Sequence, residues 1–238
     1  MNIIIARNPE ELGKKAANIM REQLRVKKNS KILLPTGKTP LFLYKALVEM
    51  NRKKQIDFSK TKFFNLDEYV GAQPYNKESF NYYLRKNFFD KVNVNEKNIS
   101  LLNGNLSHSK ILKECKNYEK KLGNNIDLTF LGIGVDAHIA FNEPGTSFKT
   151  TTHITKLKKS TIKRNKIKFK KAITVGISTI MRSKKIVLLA CGKEKVKAIR
   201  ALLFHKINKN EPATVLRKHK DLTLIITKEI AKELKITH

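Results

Sequence analysis

Three ionisable side chains lie close together in one short segment. Asp136, His138 and Glu143 fall within residues 131–145, which read LGIGVDAHIAFNEPG. A carboxylate beside an imidazole fixes its tautomer and raises its pKa from about 6.5, which suits general acid–base catalysis near neutral pH. One histidine and two carboxylates at this spacing are a weak metal pattern, so we predict no metal. The segment indicates an active-site loop.

The same segment matches a dinucleotide-binding fingerprint in spacing only. Gly132, Gly134 and Ala137 give the pattern Gly-x-Gly-x-x-Ala. That fingerprint must open a long helix, whereas the Pro-Gly pair at 144–145 would end a helix within two turns. About twenty residues on, at 156–159, there is no acid to hold a ribose. We therefore exclude a dinucleotide site.

Two adjacent carboxylates, Asp67 and Glu68, follow another apolar run in the sequence FFNLDEYVG. Such a pair is often only a solvated turn or a helix cap. A carboxylate at the end of a strand is also held by rigid backbone, which is where a general base is mounted. From the residues alone both interpretations stay open.

A Thr-Gly turn follows a third apolar run, in the sequence LLPTGKTP. Its Gly-Lys-Thr resembles a Walker A loop, but Ile32 stands five residues before Gly37, where that loop needs glycine. What remains is a strand, a tight turn and a helix N-terminus whose free N–H groups favour an anion. Lys38, Thr36 and Thr39 add donors. The alternative is an ordinary turn with a threonine cap.

These three segments each follow a predicted strand. Apolar runs predict strands at residues 3–6, 31–34, 62–66, 126–133, 185–191 and 222–227. Helical spacing of apolar residues predicts helices near 8–20, 41–48, 80–88, 111–122 and 196–203, with a short one at the end. The alternation predicts a single α/β domain over residues 1–238: a three-layer, Rossmann-like, mostly parallel sheet with helices on both faces. Ligands bind such sheets at the carboxyl ends of strands.

The charge is unusual for such a domain. Fifty Lys and Arg against 20 Asp and Glu give a formal +30, which raises nucleic-acid binding as an alternative. Only nine of the fifty are Arg, the residue that makes bidentate base contacts, and Lys is scattered over nearly every segment. We therefore expect a solvated basic surface and no nucleic-acid partner. Residues 156–171 carry nine basic residues in sixteen and form either a solvated loop or a lid over an anionic ligand.

The remaining composition indicates a cytoplasmic protein. Cys115 and Cys191 are far apart in sequence, so neither a disulfide framework nor a zinc cluster is expected. The N-terminus reads as a strand and not as a signal peptide. No apolar run approaches the roughly 20 residues of a membrane helix, so we expect no membrane contact.

With these segments in this order, the chain resembles the glucosamine-6-phosphate deaminase family. The matching stretches are LPTGKTPLFLYKAL, FFNLDEYVG, SFNYYLRKNFFDKV, LLNGN followed by ECKNYEKKL, LGIGVDAHIAFNEPGTSF and KKAITVGISTIM. They cover most of the chain, from about residue 32 to 219, and DAHIAFNEP and NLDEY are the most specific. The resemblance implies an enzyme that converts glucosamine 6-phosphate and water into fructose 6-phosphate and ammonia, with no metal or organic cofactor.

The resemblance also implies residue roles. Asp67 would be the base that moves a proton between C2 and C1. His138 would handle the protons of ring opening, with Asp136 and Glu143 orienting it. The substrate phosphate would be held by Thr36, Gly37, Lys38, Thr39 and Lys195.

Three departures from the family pattern affect these expectations. Lys38 stands where the family usually has a second glycine. Ile167, flanked by Lys166 and Lys168, aligns with a lid arginine that grips the phosphate. The chain ends soon after Leu234, so we expect the short, unregulated form, as a monomer or a low-order homo-oligomer.

Two further classes stay open as alternatives. A 6-phosphogluconolactonase shares the fold and a Gly-x-Gly-x-Asp-Gly-His loop, but it is not expected to carry NLDEY or FNEPG. The other alternative is a basic nucleic-acid-binding protein or a catalytically weakened descendant, suggested by the charge and by Ile167.

Overall fold

The computed structural model describes residues 1–165 and 167–236. Its strands are β1 (Asn2–Ala6), β2 (Lys31–Leu34), β3 (Lys62–Asn65), β4 (Asp67–Tyr69), β5 (Ile99–Ser100), β6 (Leu128–Gly132), β7 (His153–Lys156), β8 (Lys171–Thr174), β9 (Lys185–Ala190) and β10 (Leu222–Thr227). Its α-helices are α1 (Pro9–Val26), α2 (Pro40–Arg52), α3 (Phe80–Asn87), α4 (His108–Leu122), α5 (Lys159–Asn165), α6 (Ile177–Met181), α7 (Val196–Phe204) and α8 (Lys228–Glu233).

A seven-stranded parallel sheet forms the centre, in the order β1-β10-β9-β6-β2-β3-β5. Alternate side chains of each strand enter two different cores because successive residues point to opposite faces. In β2, Ile32 packs in the core covered by α1, α2 and α3, whereas Leu33 packs in the core covered by α4, α6, α7 and α8. The predicted three-layer, Rossmann-like fold is confirmed.

The strand order places a topological switch point at the middle of the sheet. From β2 the chain moves outward to β3 and β5, and it then returns to β6 on the other side of β2 and moves outward again to β9 and β10. Open α/β sheets bind ligands in the crevice at such a point, at the carboxyl ends of the strands. The Thr-Gly turn after β2 and the loop after β6 both lie there.

A second, antiparallel sheet of three short strands, β4-β8-β7, was not predicted from the sequence. The predicted strand over 62–66 ends one residue early, at Asn65. The Leu66 N–H still bonds the Leu34 carbonyl, 3.1 Å away, but the Leu66 carbonyl accepts from Val175 N at 2.7 Å. The chain therefore leaves the parallel sheet at Leu66 and starts β4 at Asp67.

The basic segment 156–171 contains the whole of α5 and runs from the last residue of β7 to the first residue of β8. Its described lysine side chains are exposed. Its apolar side chains, by contrast, pack with Tyr69 and Phe141 in a small cluster, which we call the lid cluster. The segment's members of that cluster are Leu157, Ile162, Ile167 and Phe169. Among the described residues, no helix is long and apolar enough to cross a membrane.

Candidate active site

The loop after β6 is tightly turned. Ala137 has a φ of 63° and Ala140 a φ of 50°, a left-handed conformation that non-glycine residues adopt rarely and at a cost of about 1 kcal/mol or more. Hydrogen bonds hold the turn, from Gly134 N to the His138 carbonyl and from Ala213 N to the Ala137 carbonyl, both at 2.8 Å. A strained loop that the surrounding structure fixes is typical of a functional site.

The loop brings His138 and Asp136 together. His138 Nδ1 lies 2.6 Å from Asp136 Oδ1. Gly134 makes room for the ring, because a Cβ at that position would lie 2.3 Å from the imidazole. Burial alone would raise the pKa of Asp136, but the hydrogen bond and the charge of His138 outweigh it and lower the pKa to about 2. Asp136 is therefore an ionised partner that orients the imidazole.

Glu143 completes the predicted cluster. Its side chain is buried, and Oε2 lies 3.9 Å from His138 Nδ1 with no hydrogen-bond partner among the described residues. Ligand atoms of Glu143, Asp136 and His138 lie within 4.8 Å of one another. Two ligands of one tetrahedral zinc ion would be about 3.4 Å apart, so a metal would have to break the 2.6 Å bond between imidazole and carboxylate. The arrangement is that of a hydrogen-bonded acid–base group.

Asp67 lies at the start of β4 and is buried. Its Oδ1 has no hydrogen-bond partner among the described residues. Burial, together with the nearby charge of Glu68, raises the pKa of Asp67 to about 8. A carboxyl group with a pKa in this range can both accept and return a proton near neutral pH.

Glu68, in contrast, has a structural role. Its carboxylate accepts hydrogen bonds from the backbone N–H groups of Tyr69, Phe80 and Asn81 and from the Ser79 hydroxyl, at 2.7 to 3.1 Å. Burial raises the pKa of Glu68 in spite of these bonds. The residue ties β4 to the start of α3, so of the adjacent pair only Asp67 has an unpartnered oxygen in the described structure.

Strand β8 links Asp67 to the loop of residues 133–145 after β6, which contains His138 and which we call the histidine loop. Asp67 pairs with Thr174 across the antiparallel sheet. The Thr174 hydroxyl accepts from Phe141 N at 3.0 Å, and the Asn142 side chain donates to the Val175 carbonyl at 2.9 Å. Asp67 and the histidine loop are therefore both attached to β8. The antiparallel sheet of β4, β8 and β7, which was not predicted from the sequence, makes this connection.

The tight Thr-Gly turn predicted from the sequence lies between β2 and α2. Gly37 has a φ of 116°, and its carbonyl accepts from the Tyr83 hydroxyl at 2.6 Å. Lys38 is exposed, and the Thr39 hydroxyl lies 3.3 Å from Cys191 Sγ. Sequence analysis did not assign Cys191 to the site. The signal that could have found it is its place directly after β9, beside β6.

Lys195 lies at the same edge of the sheet. Its ammonium donates to the Ile133 carbonyl at 2.8 Å, where the histidine loop begins. Burial raises the pKa of Cys191, while the Thr39 hydrogen bond and the charge of Lys195 act against the rise. Cys191 is thus influenced both by Thr39 of the turn, through a hydrogen bond, and by the charge of Lys195.

Ile167, which we expected from the sequence resemblance to stand in place of a lid arginine, packs in the lid cluster beside Tyr69 and Phe141. It is therefore a packing residue here. Lys168 is exposed, and Lys166 lies outside the described residues.

Comparison with known proteins matches this chain to one family. The model of the family described as glucosamine-6-phosphate isomerases/6-phosphogluconolactonase matches residues 7–225. The chain therefore belongs to this family.

Within the family, several similar curated relatives are glucosamine-6-phosphate deaminases. The chain is 46% identical to that of Clostridium novyi (strain NT) over 98% of this chain and all of the relative. It is 44% identical to that of Thermoanaerobacter sp. (strain X514) over 97% of this chain and 94% of the relative.

Solved structures agree with the fold. A structure described as a monomeric glucosamine-6-phosphate deaminase superposes with a TM-score of 0.93 at 35% identity, covering 98% of this chain and 99% of the other. The 6-phosphogluconolactonase of Trypanosoma brucei superposes with a TM-score of 0.83 at 18% identity, covering 98% of each chain. The second likeness is one of fold alone.

Proposed function

We propose that this chain is a glucosamine-6-phosphate deaminase, which converts glucosamine 6-phosphate and water into fructose 6-phosphate and ammonia. The observation that carries the proposal is the presence of two separate acid–base groups, His138 with its carboxylates and the buried Asp67. Lactone hydrolysis has no proton to move between two carbons, whereas this reaction must open a ring and then move a carbon-bound proton. The full-length identity to named deaminases supports the same choice.

Ring opening is the task of the histidine loop. The pyranose must lose the proton of its O1 hydroxyl and gain one at the ring oxygen, which leaves an open-chain aldehyde at C1. His138 carries this proton, with Asp136 fixing its tautomer at 2.6 Å and Glu143 lying 3.9 Å from Nδ1. A positioned acid–base group of this kind contributes about 10²–10⁴ in rate.

Asp67 acts on the opened chain, because the C2 proton becomes acidic only when C1 is a carbonyl. Its carboxylate takes that proton while the carbonyl oxygen O1 gains one from solvent, which gives an enolamine. The Asp67 carboxyl group then returns its proton to C1. The C2 amine becomes an iminium ion, water adds to C2, and ammonia leaves to give the ketone. The raised pKa of Asp67, about 8, favours both acceptance and return of the proton.

The substrate phosphate is held at the switch point. The turn of Thr36, Gly37, Lys38 and Thr39 offers backbone N–H groups, two hydroxyls and an ammonium, and Lys195 stands at the neighbouring strand end. Anions bind where free N–H groups of a helix N-terminus meet positive side chains. Lys38 places a positive charge in the turn. Ile167, which is apolar, provides no charge at the expected position of the lid arginine.

The test is substrate turnover by the purified chain. We expect ammonia and fructose 6-phosphate from glucosamine 6-phosphate, with undiminished rate after dialysis against a chelator. Hydrolysis of 6-phosphogluconolactone without ammonia release would overturn the proposal in favour of the lactonase. A Michaelis constant far above the range of the family's deaminases would identify a weakened descendant.

The proposal also covers the oligomeric state and the partners of the chain. We expect a monomer, because the similar deaminase structure is described as monomeric, and light scattering would detect any larger species. We expect no nucleic-acid partner. Affinity for DNA that falls steeply between about 50 and 200 mM salt would instead indicate binding to the phosphate backbone.

A further inference from the structure

Thr161 belongs to the lysine-rich segment 156–171, yet its side chain lies inside the site. Thr161 is 1% exposed and Glu143 is 5% exposed. The Thr161 hydroxyl donates to Glu143 Oε1 at 2.8 Å, and the backbone N–H of Lys158 reaches the same oxygen at 3.4 Å. The segment 156–171, which we call the lid segment, therefore provides both of these hydrogen bonds to Oε1.

This bond decides how the Glu143 carboxylate is turned. Because Oε1 is held from the lid side, the other oxygen, Oε2, lies 3.9 Å from His138 Nδ1. Oε2 has no hydrogen-bond partner among the described residues, and a buried carboxylate oxygen without a partner is costly. The hydrogen bonds to Oε1 are therefore needed to keep Oε2 directed at the imidazole.

We propose that Thr161 is a positioning residue for ring opening, whose hydroxyl holds Glu143 with Oε2 directed at His138. This inference rests on the proposed deaminase function and deepens it. Thr161 does not touch the reacting atoms and acts through Glu143.

The position of Thr161 also couples the lid to the acid–base group. The next residue, Ile162, packs in the lid cluster against Tyr69 and Phe141. A shift of residues 158–161 would take both donors away from Oε1 at once. Glu143 is thus correctly turned only while this part of the lid is in place.

A matched set of variants tests the role. Thr161→Val replaces the hydroxyl by a methyl group of similar size, and Thr161→Ser restores it. We expect Thr161→Val to lower kcat about tenfold or more, within the range that acid–base groups contribute, and to leave KM within about twofold. Thr161→Ser should recover most of the rate.

The control is Thr179→Val. The Thr179 hydroxyl is also buried and donates to a carboxylate, Glu119 Oε1, at 2.6 Å. Glu119 bonds Thr152 and Arg182 and forms no described bond with His138. We expect Thr179→Val to keep the wild-type kcat. A comparable loss in both valine variants would assign the effect to destabilisation and overturn the inference.

A double-mutant cycle with Glu143→Gln separates positioning from general structure. If Thr161 acts through Glu143, Thr161→Val should change kcat by less than about twofold in the Glu143→Gln background. An equal loss in both backgrounds, or an unchanged kcat for Thr161→Val alone, would overturn the inference.

An activity-independent measurement keeps the two proposals distinguishable. The ring resonance of His138, assigned by its loss in His138→Gln, should shift in Thr161→Val and stay in place in Thr161→Ser and Thr179→Val. If wild type released no ammonia, the deaminase proposal would fail while this shift still tested the link. An unshifted resonance in Thr161→Val would contradict it.

Discussion

Asp67 and Asp136 are the same chemical group in opposed surroundings. Asp67 is buried beside Glu68, and its Oδ1 is unpartnered among the described residues, so its pKa rises to about 8. Asp136 is partly exposed and bonded to His138 at 2.6 Å, so its pKa falls to about 2 in spite of some burial. Near neutral pH the first can exchange a proton, whereas the second stays ionised. Environment alone divides the two carboxyl groups into a base and an orienting partner.

The fold produces this difference. Asp67 lies where the chain passes from the parallel sheet into β4, a strand enclosed by β8 and by the start of α3. Asp136 lies in a loop beyond the end of β6, in a turn that the left-handed Ala137 closes. Strand position buries one carboxyl group, and loop position leaves the other beside an imidazole.

The largest expected effect comes from Asp67→Asn. The amide has the size of the carboxyl but cannot accept the C2 proton, so kcat should fall about 10³-fold or more. Affinity for glucosamine 6-phosphate, measured by calorimetry, should stay within a few fold. A near-wild-type kcat would assign the base elsewhere and break the comparison.

Asp136→Asn should have a smaller effect. It removes the charge that fixes the His138 tautomer but leaves the imidazole in place, so we expect kcat to fall about 10²-fold. A substrate analogue that is already open should recover part of the rate, because only ring opening is impaired. A loss equal to that of Asp67→Asn, without rescue, would contradict the division of roles.

Gly134→Ala perturbs His138 by steric contact alone. The added Cβ would lie 2.3 Å from the His138 ring, so the ring must move away from its present position. We expect kcat to fall about tenfold, by loss of part of an acid–base contribution. Gly132→Ala is the matched control, because a Cβ there meets nothing within 4 Å. Equal kcat values for the two variants would show that the ring position is not critical.

The smallest expected effect is on stability. The pKa of Asp67 is raised from 3.8 to about 8, so the folded chain holds this proton more tightly than the unfolded chain. The contribution of Asp67 to the free energy of unfolding is therefore lost as pH rises from about 4 through 8. Asp67→Asn should raise Tm by about 10 °C at pH 8.5, and the gain should shrink as pH falls to 5. A gain independent of pH in thermal unfolding would contradict the buried-carboxyl account.

Much of the parallel sheet could be predicted because its strands are continuous apolar runs. The run at 126–133 contains β6, and the predicted bounds 31–34 and 222–227 are those of β2 and β10. The cluster of Asp136, His138 and Glu143 is local in sequence, so its spacing alone indicated an acid–base group. That residues 1–238 form one domain stays a prediction.

The antiparallel sheet could not be predicted in the same way. Its strands have three or four residues, and the pairing of β4 with β8 joins positions about a hundred residues apart, such as Asp67 and Thr174. The burial that raises the pKa of Asp67 depends on this pairing. For the same reason the sequence left Asp67 open between a solvated turn and a base. It also gave no sign of the contact between Thr161 and Glu143, which joins segment 156–171 to the loop after β6.

The most direct test is a carbon-detected NMR titration of the aspartate side chains, with Asp67 and Asp136 assigned by the loss of each signal in its asparagine variant. We expect Asp67 to titrate near pH 8 and Asp136 to stay ionised down to about pH 2. Titration of both carboxyl groups near pH 4, the ordinary value, would contradict this expectation.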